Sequence, residues 1–145
     1  MKKFKKKYLI ILLPFIVGSL SGILVNSDIN SYINPPFTPP AYIFPIVWTI
    51  LYLLMGISLY MIREKKLCVI SFLIQFVINI SWPFIFFGLK LLGPSIIILF
   101  LLILSVIFML LTFYEYKKIS AIINFPYIIW ILIAFYLNCG FFFLN

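Results

Sequence analysis

The chain has 145 residues, 66% of them hydrophobic and only 10% charged, whereas a soluble domain is nearer half apolar with about a quarter charged. So few polar residues cannot cover a water-soluble surface, and the apolar runs are continuous rather than alternating, which excludes a membrane β-barrel. The net charge of +8 comes from short basic clusters at the ends of those runs, a pattern of membrane topology and not of a nucleic-acid-binding face.

The sequence holds no His, and its three acids, Asp28, Glu64 and Glu115, fall between apolar runs. No metal-ligand cluster and no intramembrane proton relay follow from such a set. Cys68 and Cys139 are expected near opposite membrane faces, too far apart for the short Cα separation that a disulfide needs, and are read as small apolar residues.

In chain order, the basic patch Met1–Lys7 leads into a first apolar span over 8–25. It is too long for the core of a signal peptide and lacks a small-x-small cleavage site, so it reads as a membrane helix. Pro14 is placed to bend it, and Gly18-x-x-x-Gly22 offers a small-residue packing face. Residues 26–40 form a loop in which Pro35, Pro36, Pro39 and Pro40 forbid helix and favour a stiff, extended path. Beside a membrane site such a loop serves as a lid or strap, in preference to a PxxP ligand for an adaptor domain.

The second span is expected over 41–62, with Trp48, Tyr52 and Met55/Gly56 on one face. The third, over 67–87, carries Pro83, a point at which membrane helices commonly kink. The fourth, over 94–114, begins at a proline, a favoured first helical position, and reads as scaffold and lipid contact. The fifth, over 121–142, aligns Tyr127, Trp130, Ala134 and Asn138 along one face. Five spans put ten Lys and Arg on the side of the N-terminus and only Lys90 on the other. That split places the N-terminus in the cytoplasm and the C-terminus outside.

The third span contains the most informative stretch, QFVINISWPFIFFG. Gln75, Asn79, Trp82 and Phe86 share one helical face. Polar groups are costly in hydrocarbon unless paired, so this face should look into protein. Two readings compete: the wall of an internal site, or amides that pair across helices as packing contacts.

These residues also carry a resemblance. Pro36-Phe37-Thr38-Pro39-Pro40 precedes the second helix and Trp48-Thr49-x-Leu51-Tyr52-x-x-Met55-Gly56 lies within it. Gln75-x-x-x-Asn79-x-x-Trp82-Pro83-x-x-Phe86-Phe87-Gly88 follows in the third, and Pro126-Tyr127-x-x-Trp130 with Leu137-Asn138 in the fifth. In this order and these helices the chain, from about Gly18 to Asn138, resembles the TspO/translocator protein (peripheral benzodiazepine receptor) family.

The resemblance implies an all-α integral membrane bundle of five helices, usually a homodimer, in a bacterial-type cell membrane. Its cavity would open toward the first loop and take porphyrins such as protoporphyrin IX and haem as ligands, with no required cofactor. The residues matching the family's pocket are Trp48, Tyr52, Asn79, Trp82, Phe86, Trp130 and Ala134. Pro39, Gln75, Phe87, Tyr127 and Asn138 complete the expected ligand-binding set. The sequence departs from the family where a Trp-Tyr pair and a Lys often stand in the loop, since Asp28, Ile29 and Asn34 occupy those positions. The animal sterol motif is not carried over: Cys139, Phe141, Phe142 and Phe143 stand in its region, with no basic residue.

A tetrapyrrole presents a flat apolar ring with carboxylates at one edge. Trp48, Tyr52, Trp82, Phe86 and Trp130 are suited to the ring, and Gln75, Asn79 and indole N–H groups to the edge as neutral donors. Coordination of haem iron is not implied, because no axial ligand lies on these faces. The functions to weigh are binding in transport or sensing, light- and oxygen-dependent porphyrin breakdown with Trp48 and Trp130 as electron-rich candidates, and a ligand-free structural subunit. No nucleophile–base pair supports hydrolysis.

Overall fold

The computed structural model describes the backbone of residues 2–25 and 32–145 and side chains from Tyr8 onward. Asp28 and Ile29 lie outside the described residues. Among the described residues there are six α-helices: α1 (Lys2–Leu24), α2 (Ile43–Ile62), α3 (Lys66–Pro83), α4 (Leu92–Tyr116), the short α5 (Lys118–Ile122) and α6 (Phe125–Leu144). A π-helical turn, Phe84–Gly88, extends α3. Taken with its extension, α3 runs 23 residues, and α5 with α6 runs 27, so these two, α2 and α4 are each long and apolar enough to cross a membrane. The apolar part of α1, Tyr8–Leu24, is shorter, yet at 1.5 Å per residue it reaches about 25 Å, close to the hydrocarbon thickness of a bilayer. The chain is an integral, multi-pass membrane protein built as a helical bundle.

Outward faces carry the residues that a lipid solvent asks for. On α4, Ile97, Phe100, Leu104, Ile107 and Leu111 are exposed while Leu99, Leu102, Val106 and Met109 are buried. The bundle is assembled from three main pairings: α1 on α2, α3 on α4, and α4 on α6. The first depends on Gly56, because a Cβ there would collide with the backbone carbonyl of Ile11. Small residues let membrane helices approach until backbones touch, and here that glycine is on α2. Of the expected Gly18/Gly22 packing face on α1, only Gly18 packs, against the Tyr52 ring; a Cβ at Gly22 would meet nothing within 4 Å.

Three local features differ from the sequence reading. First, α4 starts at Leu92, two residues before Pro94, and its first turn holds Ser95, whose N–H bonds to the Leu91 carbonyl. Second, the fifth span is broken. The N–H of Asn124 bonds to the Ala121 carbonyl, the N–H of Tyr127 bonds to the Asn124 carbonyl, and Pro126 opens α6. A proline suits that position because its missing N–H would be unpaired there anyway. Third, Pro83 is answered by the π turn, in which the N–H of Leu89 reaches back to the Phe84 carbonyl at 2.8 Å. Such a turn is a recognised response to a lost ladder bond.

Polar side chains inside the bundle bridge helices. Ser71 and Thr112 share a hydroxyl–hydroxyl bond of 2.9 Å between α3 and α4, and the Cys68 thiol donates to the Thr112 carbonyl. Asn124 donates to Ser58 on α2 and to the Ser120 carbonyl. Both cysteines are free.

Candidate functional site

A cavity of about 1130 Å³ lies between α1, α2, the π turn and α6, beneath the proline-rich loop. Its walls follow from helical spacing. On α2, Phe44, Trp48 and Tyr52 recur every four residues and project together; on α6, Ala134, Leu137, Asn138 and Phe141, related by steps of three and four, share one face in the same way. On α3 the π turn decides the wall. Residues four and five apart both return to one side of an i→i+5 turn, so Trp82, Phe86 and Phe87 all reach the cavity. Phe86 stacks on Trp82 with ring centroids 5.5 Å apart, and Phe87 meets Phe86 edge-on at 4.7 Å.

The loop lies over this space as a strap. Pro36 and Phe37 are the central residues of a β-turn closed by the Thr38 N–H on the Pro35 carbonyl, with the Thr38 hydroxyl on the same oxygen at 2.6 Å. Phe37 has φ of 61°. Proline followed by positive φ is the type II pattern, in which glycine is the usual third residue; a bulky side chain there is strained. The strap is tied to the end of α6. Tyr136 donates to the Pro36 carbonyl at 3.0 Å, and the Asn145 amide both accepts from the Ile33 N–H at 2.7 Å and donates to its carbonyl. Gly140 makes room for the strap, since a Cβ there would lie 2.6 Å from Pro35.

Eight of the twelve expected site residues line the cavity: Pro39, Trp48, Tyr52, Trp82, Phe86, Phe87, Ala134 and Asn138. Gln75, Asn79, Tyr127 and Trp130 do not. The first three form a buried chain behind Tyr52: the Tyr52 hydroxyl donates to Asn79 Oδ1 at 3.0 Å, Asn79 Nδ2 to the Tyr127 hydroxyl at 2.8 Å, and that hydroxyl to Gln75 Oε1 at 2.7 Å. The Asn79 amide is therefore engaged across helices and is not a donor facing the cavity. Gln75 is fully buried, and its Nε2 has no partner among the described residues. Trp130 stands behind Phe44, edge-on at 5.5 Å, and borders a smaller apolar crevice between α2 and α6. The expected donor Trp82 Nε1 is committed to Asn138 Oδ1 at 3.2 Å, and Asn138 Nδ2 to Ser95 Oγ.

Sequence reasoning passed over several wall and strap residues. Phe44 carried a signal, standing one turn before Trp48 on the same face. Thr49 stood inside the motif of the second helix, next to Trp48, whereas Ser21 and Val25 carried no signal, nor did Ser95, placed on a helix that reads as plain scaffold. The strap's ties at Gly140 and Asn145 are long-range and leave no local pattern.

Described as the TspO/MBR family, a family model matches residues 10–144, nearly the whole chain. The chain belongs to the TspO/MBR family. Relatives include the "Tryptophan-rich protein TspO" of Chlorobaculum tepidum, 31% identical over 75% of this chain and 73% of its own length. "Protein CrtK" of Rhodobacter capsulatus is 34% identical over 75% and 72%. The "Translocator protein" of Bos taurus is 28% identical over 72% and 67%. The expected family and all-helical membrane fold thus hold; of the motif residues, Trp48, Tyr52, Trp82, Phe86, Phe87 and Asn138 fall on the cavity wall and Gln75, Asn79 and Tyr127 on the hydrogen-bonded chain behind it, while Trp130 falls on neither.

Proposed function

We propose that this TspO/MBR-family protein binds porphyrin-type tetrapyrroles and related flat hydrophobic ligands in the cavity, in a transport or sensing role, as a homodimer. The observation that carries the reading is the aromatic wall of Trp48, Tyr52, Trp82, Phe86 and Phe87 around about 1130 Å³. Small-molecule sites are commonly about 300–1,000 Å³, mostly apolar, with a few placed polar groups. Offset stacking on such rings adds about 0.5–1.5 kcal/mol per aromatic pair beyond burial. The cavity opens at the end of the bundle away from Arg63–Lys66 and Lys117–Lys118. By the distribution of basic residues, that end faces outward and the N-terminus is cytoplasmic.

Titrating purified protein with protoporphyrin IX in the dark tests this by tryptophan quenching. Trp48→Ala should weaken binding about tenfold, a loss of about 1.4 kcal/mol. Unchanged affinity would remove the site assignment.

A second reading, light- and oxygen-dependent breakdown of the bound porphyrin, is favoured by the place of Trp48. Its indole faces the cavity and stacks on Tyr52 with centroids 5.3 Å apart. Trp130, the other candidate, is screened by Phe44. Bleaching under light at the same rate with Trp48→Phe as with the parent protein would end this reading for Trp48.

A further inference from the structure

We propose that the cavity opens sideways into the bilayer between α1 and α2, and that this opening fits it to ring ligands carrying a long alkyl tail, the ring in the cavity and the tail left in the lipid. This rests on the reading that the cavity takes porphyrin-type ligands. Its first support is the way α1 and α2 part. Toward the basic turn they are pressed together, since a Cβ at Gly56 would collide with the Ile11 backbone. Gly18 still packs on the Tyr52 ring, but a Cβ at Gly22, one turn further on, would meet nothing within 4 Å. From Gly18 toward the strap the two helices therefore diverge.

The second support is that the residues flanking this gap line the cavity and are exposed at the same time: Gly22 and Ile23 on α1, Pro45 and Thr49 on α2. The opposite wall is closed, for Trp82, Phe86, Ala134 and Asn138 line the same cavity and are buried. Thr49 stands six residues into α2, which begins at Ile43, and so about 9 Å along the helix at 1.5 Å per residue. The gap thus reaches into the hydrocarbon, whose thickness is about 30 Å. The cavity, at about 1130 Å³, also exceeds the common range of about 300–1,000 Å³ for small-molecule sites. Lipid tails are as apolar as the side chains around them, so an alkyl chain that stays in the bilayer gives up no hydrophobic free energy when its ring binds. A cavity shut on this side would have to fold the chain within its walls, ordering its rotatable bonds and crowding the aromatic rings.

The test is a set of dark titrations in phosphatidylcholine vesicles with protoporphyrin IX, its monomethyl ester and its monohexadecyl ester, read by tryptophan quenching and by the porphyrin absorption band. The two esters have the same ring and the same charge and differ only in the tail; affinities are compared as mole fractions in the lipid. The parent protein should bind both within about threefold. Gly22→Phe and Thr49→Phe, which narrow the gap from its two rims, should weaken the hexadecyl ester about tenfold or more and leave the methyl ester within about twofold, so that the methyl ester also reports the variants' fold. Trp48→Ala should weaken both esters; a signal that it leaves unmoved comes from the lipid and overturns the proposal. A hexadecyl ester bound more than about tenfold weaker than the methyl ester by the parent protein, or both rim variants leaving it unmoved or moving the two esters alike, overturns the sideways opening and leaves the porphyrin reading intact. So does binding of the diacid with neither ester. Binding of none of the three removes the porphyrin reading and this proposal with it.

Discussion

Asn79 offers the sharpest test of how the wall is held. Replacing it with Ala removes two interhelical bonds, from Tyr52 at 3.0 Å and to Tyr127 at 2.8 Å. Interhelical side-chain bonds in membranes are worth about 0.6–2 kcal/mol each, and the buried Tyr52 hydroxyl is left without its acceptor. The expected loss is about 2–3 kcal/mol. At about 2–4 °C per kcal/mol for a chain of roughly this size, the midpoint of thermal unfolding in detergent should fall by about 5–10 °C. Tyr52→Phe breaks only the first bond and should cost about 1 kcal/mol. In the double variant that bond is already gone, so the two losses should fall short of adding by about 1 kcal/mol. Strict additivity, or an Asn79→Ala midpoint within about 1 °C of the parent, would refute the hydrogen-bonded chain. Since Asn79 does not line the cavity, its loss should also weaken a ligand less than Trp48→Ala does.

Four further substitutions test the packing. Gly56→Ala forces α1 away from α2 at Ile11 and should cost about 3 kcal/mol, the upper range for overpacking; Gly22→Ala, with open space around it, should be neutral or stabilising by up to about 1 kcal/mol, both read by the same melts. Gly140→Ala presses on Pro35 and should loosen the strap, measured as faster release of bound porphyrin at a cost of about 1–3 kcal/mol in stability; an unchanged release rate would separate the strap from ligand exit. Phe37→Gly relieves the positive φ and should stabilise by about 1 kcal/mol, and a lower melting midpoint would show that the Phe37 side chain, 93% exposed, has a partner in the membrane surface.

The sequence by itself determined the spans, the loop between the first two and the faces that turn inward. Each of these is a local property: a bilayer sets the length of an apolar run, prolines stop helices, and residues spaced by three or four share a side. That is why Trp48 with Tyr52 and Ala134 with Asn138 were found on the cavity, and why Gln75 and Asn79 could be assigned to the protein interior. A helix face is broad enough to meet two neighbours, however, and spacing does not say which one each residue meets. Only the tertiary structure decided that Asn79 is taken up by Tyr52 and Tyr127, 27 and 48 positions away, and that Trp130 lies behind Phe44. The π turn after Pro83, which brings Phe87 round beside Phe86, and the close approach at Gly56 in place of Gly22 were likewise settled by packing. In each case the outcome depends on backbone or side-chain partners far along the chain, and the physical reason is that satisfaction of buried polar groups and contact of backbones are pairwise, long-range conditions.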